Sequence, residues 1–159
     1  MKQRDLARWL KAIALIDVIF CLGIMLAIVP QRGQALANLH PEMPWLTTAS
    51  WVFLVLASIP IVAVGVVIWR IASEIASNNS FSEVNAARLV RMGVYALAES
   101  AFFGASIAIM ALLGILSDGL LAVMLVVVVI SGGLGVSAFM LSHLTLKAAA
   151  IKAENDLTV

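Results

Sequence analysis

Charge is scarce in this chain. Its 159 residues include 10 Lys or Arg and 9 Asp or Glu, against 63% hydrophobic residues. Soluble domains carry about 25% charged and about 45–50% apolar residues. A soluble fold of this length could not bury such an apolar surplus, so that class is excluded and the surplus must face lipid. The formal net charge of +1 argues against direct nucleic-acid contact. The lone cysteine, Cys21, excludes an internal disulfide, and no Cys/His cluster provides a zinc site. The two histidines, His40 and His143, fall on opposite sides of the expected bilayer, which excludes a bis-His haem. No nucleophile–base pair or metal constellation is spaced along the chain. We therefore expect no enzyme, no catalytic residue and no cofactor.

What is present is four long apolar runs, at about residues 9–29, 51–69, 92–116 and 120–141. At ~1.5 Å per helical residue, about 20 such residues cross the ~30 Å hydrocarbon layer. The first run follows Lys2, Arg4, Arg8 and Lys11, and Ala35-Leu36-Ala37 imitates a signal-peptide cleavage site. It exceeds the roughly 7–15 apolar residues of a signal peptide, so it is read as a retained span. Residues 31–50, with Pro30, Gly33, Pro41 and Pro44, read as an irregular loop. Pro60 should bend the second span, and Ser117-Asp118-Gly119 reads as a minimal turn that makes spans three and four antiparallel neighbours. The expected fold is all-α, a four-helix transmembrane bundle in which residues 1–159 form one integral membrane domain.

Basic residues orient it. Lys2, Arg4, Arg8, Lys11, Arg70, Arg88, Arg91, Lys147 and Lys152 fall on one side, and Arg32 alone on the other. The positive-inside rule then makes both termini, the 70–91 loop and the 143–159 tail cytoplasmic. Trp9 and Trp69 lie at the expected inner boundary, Trp45 and Trp51 at the outer one, as aromatic belts require. The expected location is a bacterial inner membrane, with the bilayer as first partner.

The 70–91 loop is the longest polar interruption. Asn78-Asn79-Ser80 breaks the helix leaving span two. Ser82 reads as an N-cap, Glu83 complements the macrodipole, and Phe81 could staple onto Ala86. The third helix thus starts well below the membrane. The tail is predicted to continue the fourth helix through Ala148-Ala149-Ala150. Its Asp156-Leu157-Thr158-Val159 end reads either as a ligand for strand addition with carboxylate capture or as a frayed helix end.

Asp17 and Glu99 are the two ionisable residues deep in apolar runs. Such groups cost ~2.5–3.5 kcal/mol to insert and usually face a bundle interior. Both lie at similar depth on parallel-running spans, with Ser137 of span four near that level. One reading is a proton- or cation-handling carboxylate pair. The other is a structural role, with each acid neutral or hydrogen-bonded to Tyr95, Ser100 or Ser137 and fixing register. Ser100, Gly104 and Ala108, and Ser131 with Gly135, form small-xxx-small rows suited to close packing within the bundle or in a homo-oligomer. Gly132-Gly133-Leu134-Gly135 lies mid-span without a following Lys-Ser/Thr and is not a phosphate loop.

Two polar segments, Asn78-Asn79-Ser80-Phe81-Ser82-Glu83-Val84-Asn85-Ala86-Ala87-Arg88-Leu89 and Glu154-Asn155-Asp156-Leu157-Thr158-Val159, resemble those of the YoaS-like family of bacterial four-span membrane proteins of unknown function. Members are typically encoded beside a small helix-turn-helix transcription regulator. The resemblance implies a cytoplasmic dock for that regulator, formed by Asn79, Phe81, Asn85 and Arg88 together with Asp156, Leu157, Thr158 and Val159. In the intramolecular alternative the tail folds back on its own loop, with Asp156 near Arg88. The leading expectation is a non-enzymatic membrane protein that binds and sequesters the regulator. The rival is a small proton- or cation-linked transporter built on the intramembrane carboxylates.

Overall fold

A computed structural model describes residues 3–77 and 80–156, with side chains as far as Glu154. Four helices make up the chain: α1 (Gln3–Leu39), α2 (Leu46–Ala76), α3 (Glu83–Leu112) and α4 (Asp118–Asp156). Each is long and apolar enough to cross a membrane. The chain is an all-α, multi-pass membrane protein.

The helices are longer than the apolar runs, because polar residues at both ends continue the same hydrogen-bonded ladder. The expected irregular loop over residues 31–50 is corrected: α1 passes through Pro30 to Leu39, and α2 starts at Leu46. Proline removes one backbone donor and strains the preceding turn. The turns beyond it are held by packing, since Gly33 is buried against Ser50 and the Leu46 carbonyl of α2. The distal connection is therefore only residues 40–45. The third helix is also shorter than expected, ending at Leu112. Leu113 caps it and Gly114 follows at φ +69°. The Gly114 N–H donates to Ala111 O at 3.1 Å and the Ile115 N–H to Met110 O at 3.1 Å. This is the Schellman pattern, and the left-handed position suits glycine. Buried Ile115 supplies the hydrophobic residue that accompanies such a stop. Asp118 and Gly119 belong to the first turn of α4, not to the turn, which spans residues 113–117.

The helices pack in chain order: α1 on α2, α2 on α3, and α3 on α4. All three pairs are antiparallel, so both termini lie at one end of the bundle, the termini end. Lys11 sits 5.1 Å over the Trp69 ring there, consistent with the levels expected for Trp69 and the basic N-terminal residues. At the other, distal end the core comprises Ala57, Phe103 and Met124, with Phe53, Phe102 and Met25 packed on it. Phe53, Phe102 and Phe103 form an aromatic trio with centroids 5.1–6.1 Å apart.

The α2–α3 connection follows the expected capping chemistry. Ser82 is the N-cap of α3, and its hydroxyl accepts the Asn85 N–H at 3.2 Å. Ser82→Ala removes that acceptor and should lower stability by about 1 kcal/mol. Thermal unfolding in detergent micelles measures it, and a Ser82→Asp variant should restore the wild-type midpoint.

Candidate functional site

At the termini end, the root of α3 is tied to both neighbours. Asn85 is almost fully buried, at 1% exposure. Its side-chain amide donates to Ser80 O at 3.1 Å, and its Oδ1 accepts from Arg88 at 3.1 Å. Arg88 also donates to Arg70 O at 3.1 Å and pairs with Glu74 at 3.2 Å. Arg70 and Glu74 lie on the last turns of α2, so this network fixes the angle at which α3 leaves α2. On the other flank, Ser142 of α4 donates to Ala86 O at 2.8 Å, and Thr145 is buried one turn on. Asn85 and Arg88 therefore make contacts within the chain. Phe81 lies 58% exposed, without the burial a staple on Ala86 would give. Asn79, Leu157, Thr158 and Val159, and the Asp156 side chain, lie outside the described residues.

α4 continues as one helix of 39 residues to Asp156, ~58 Å at ~1.5 Å per residue and so far longer than the hydrocarbon layer. Ser142 lies beside Ala86, and Gly135 beside Gly93. Continuing that antiparallel register places Leu144 at the level of Val84 and carries Ile151 past Phe81. All four side chains are more than half exposed.

Within the spans, the three polar residues expected at one level have different surroundings. Glu99 is buried, at 7% exposure, and its Oε2 has no hydrogen-bond partner. Asp17 is exposed on α1, which packs on α2 and not on α3, and the Cys21 thiol lies 4.0 Å from its Oδ1. Ser137 is exposed on α4. The two carboxylates do not meet. Nor do they share the level that counting residues predicts. Val18 beside Gly65 sets Asp17 opposite Val66, whereas Phe102 and Phe103 beside Phe53 set Glu99 more than a helical turn nearer the distal end. Gly135 beside Gly93 sets Ser137 opposite Arg91. Of the small residues, Ser100 and Gly135 do lie at the α3–α4 crossing. Ser100 donates to Val128 O at 3.0 Å, and Gly93 and Gly132 share that interface. Gly104 and Ala108 do not: a Cβ on Gly104 would meet nothing within 4 Å, and Ala108 is exposed.

The distal end holds a feature that hydropathy could not announce. All four helices line a cavity of about 390 Å³ whose walls are almost entirely apolar, with Arg32 and Trp45 among its lining residues. Phe103, one helical turn from Glu99 on the same face of α3, also lines it. Among the described residues no group of three or more His, Cys, Asp or Glu could hold a metal ion.

A multi-pass helical membrane protein, with long polar helix ends on the side of its termini, is thus the class defined by the fold. The chain belongs to the DUF2975 family of proteins of unknown function, whose profile matches residues 31–159. It is similar to the uncharacterized membrane protein YoaS of Bacillus subtilis (strain 168), at 27% identity over 140 residues that cover 87% of this chain and 88% of the relative. No solved structure matches the chain. Glu99, Asn85, Arg88 and Arg32 fall inside the family match and Asp17 falls before it.

Proposed function

We propose that this protein is a non-enzymatic membrane partner that holds a small helix-turn-helix transcription regulator at its cytoplasmic face. The observation that carries the reading is the termini end itself. The positively charged flanks orient that end to the cytoplasm of a bacterial inner membrane. There α4 projects beyond the span as a continuous helix, beside an α3 root braced by Asn85, Arg88 and Glu74. Phe81, Val84, Leu144 and Ile151 are exposed apolar side chains on this projection, suited to anchoring a protein partner. Asn85 and Arg88 act in this reading by setting the angle of the platform, and the Asp156-Leu157-Thr158-Val159 tail is a further contact for the regulator. The regulator as occupant is supported by the family resemblance.

The regulator should co-sediment with membranes containing the full chain. Truncation after Glu154 and Ile151→Asp should each move most of it to the soluble fraction, by tenfold or more if either site is an anchor worth about 1.4 kcal/mol or above. Unchanged co-sedimentation in both variants would refute the dock.

The unpartnered Glu99 carboxyl favours a second reading, proton- or cation-linked transport through Glu99 alone. In proteoliposomes Glu99→Gln would then abolish proton flux, whereas Asp17→Asn, remote from Glu99, would leave it intact.

A further inference from the structure

We propose that the distal cavity binds an acidic phospholipid, with one acyl chain inside the four-helix cavity and the headgroup phosphate on Arg32. A cavity of about 390 Å³ falls within the ~300–1,000 Å³ of small-molecule sites, which are mostly apolar with a few placed polar groups. Here the polar groups are nearly silent. Ser50 donates its hydroxyl to Thr47 O at 2.7 Å and Ser106 donates to Phe102 O at 2.8 Å, so each hydroxyl proton is already used on its own helix. Such a wall offers water too few partners to hold it. In a bilayer the abundant apolar molecule at this depth is a lipid chain.

Arg32 selects the headgroup. It is the one charged residue lining the cavity, it is exposed, and it makes no hydrogen bond or ion pair among the described residues. It stands two residues past Pro30, where the apolar run of α1 ends, and so at headgroup level. A guanidinium presents a fork of donors that matches phosphate oxygens. No acid pairs with it among the described residues. Glu42, outside the cavity lining, is engaged by His40 at 3.2 Å instead. Asp118 begins α4 outside the cavity lining. With the termini end in the cytoplasm, the lipid comes from the outer leaflet.

The test uses the full chain reconstituted in vesicles of equimolar phosphatidylglycerol and phosphatidylcholine, extracted gently and weighed by native mass spectrometry. The expected result is one retained phosphatidylglycerol per chain, preferred about fivefold over phosphatidylcholine, the selectivity of a single basic residue at an anionic headgroup. Arg32→Gln should bring the ratio close to one and Arg32→Lys should keep most of it. Both are exposed-site changes that leave the helices intact. Ser106→Phe, which places a ring in the cavity, should displace both lipids at unchanged helicity. Equal retention of the two lipids by the wild type, no retained lipid, or an unchanged ratio in Arg32→Gln would each overturn the proposal.

Discussion

Gly93→Val should separate α3 from α4 and cost at least about 3 kcal/mol, the upper end of the ~1–3 kcal/mol typical of overpacking. A Cβ at Gly93 would meet the Gly135 carbonyl oxygen at 3.0 Å and the Phe139 ring at 3.1 Å. The carbonyl belongs to a helix backbone and yields only if the whole of α4 moves. The two helices have no equivalent way to compensate, because the approach is close from both sides: a Cβ on Gly135 would meet Leu97 at 2.8 Å and the Gly93 carbonyl oxygen at 3.1 Å. In lipid, helix association relies on such close packing, since the surrounding chains are as apolar as leucine. Moving α4 also breaks the Ser142 and Ser100 hydrogen bonds that cross the same interface. The measurement is thermal or denaturant unfolding in micelles, with Gly104→Ala as the contrast. A methyl at Gly104 meets nothing within 4 Å and should raise stability by up to about 1 kcal/mol through helix propensity. Equal midpoints for Gly93→Val and Gly104→Ala would place the crossing elsewhere.

That contrast also shows how far the sequence can be read. Small-xxx-small spacing finds helices able to approach closely, and spans three and four do so. It does not find the face. Ser100, Gly104 and Ala108 are equally small and regularly spaced, yet only Ser100 lies on the α4 side, because Gly93 and Ala96 extend the contact toward the helix root instead. Spacing records one helix, whereas a crossing needs two. The span count and the Ser82 cap were legible because apolar length and capping are local properties. The passage of α1 through Pro30 was not, because Gly33 is held by Ser50, which comes from the following helix. The stop at Gly114 had a local signal, a glycine followed by an apolar residue after an apolar helix, which the longer hydropathy run concealed. Asn85 and Arg88 stood out in the sequence as polar residues at a helix root. Their partners, Ser80, Arg70 and Glu74, emerge only from the α2–α3 packing.

Replacing Glu99 by leucine should stabilise the protein by about 1–3 kcal/mol, the reverse of what substitution at a buried position usually does. The reason is that Glu99 is 7% exposed and its Oε2 has no hydrogen-bond partner. A buried polar atom left unpaired forfeits its hydration without return, at about 1–3 kcal/mol. Leucine fills much of the same volume, propagates a helix as well as glutamate does and removes that penalty. Glu99→Gln keeps the shape and an unpaired polar group, so its midpoint should stay near wild type. Unfolding in micelles orders the three proteins, and a lower midpoint for Glu99→Leu would mean that the carboxyl has a partner in the folded protein. The stability gain bears directly on function, since a costly group at a site where leucine would be better is retained for something other than folding. The dock predicts that Glu99→Leu still holds the regulator, because Asn85 and Arg88, which carry the brace to Glu74 of α2, lie more than two helical turns from Glu99 along α3. The transport reading predicts a more stable protein that no longer conducts. A single substitution thus separates the two, with stability confirming in both cases that the variant is folded.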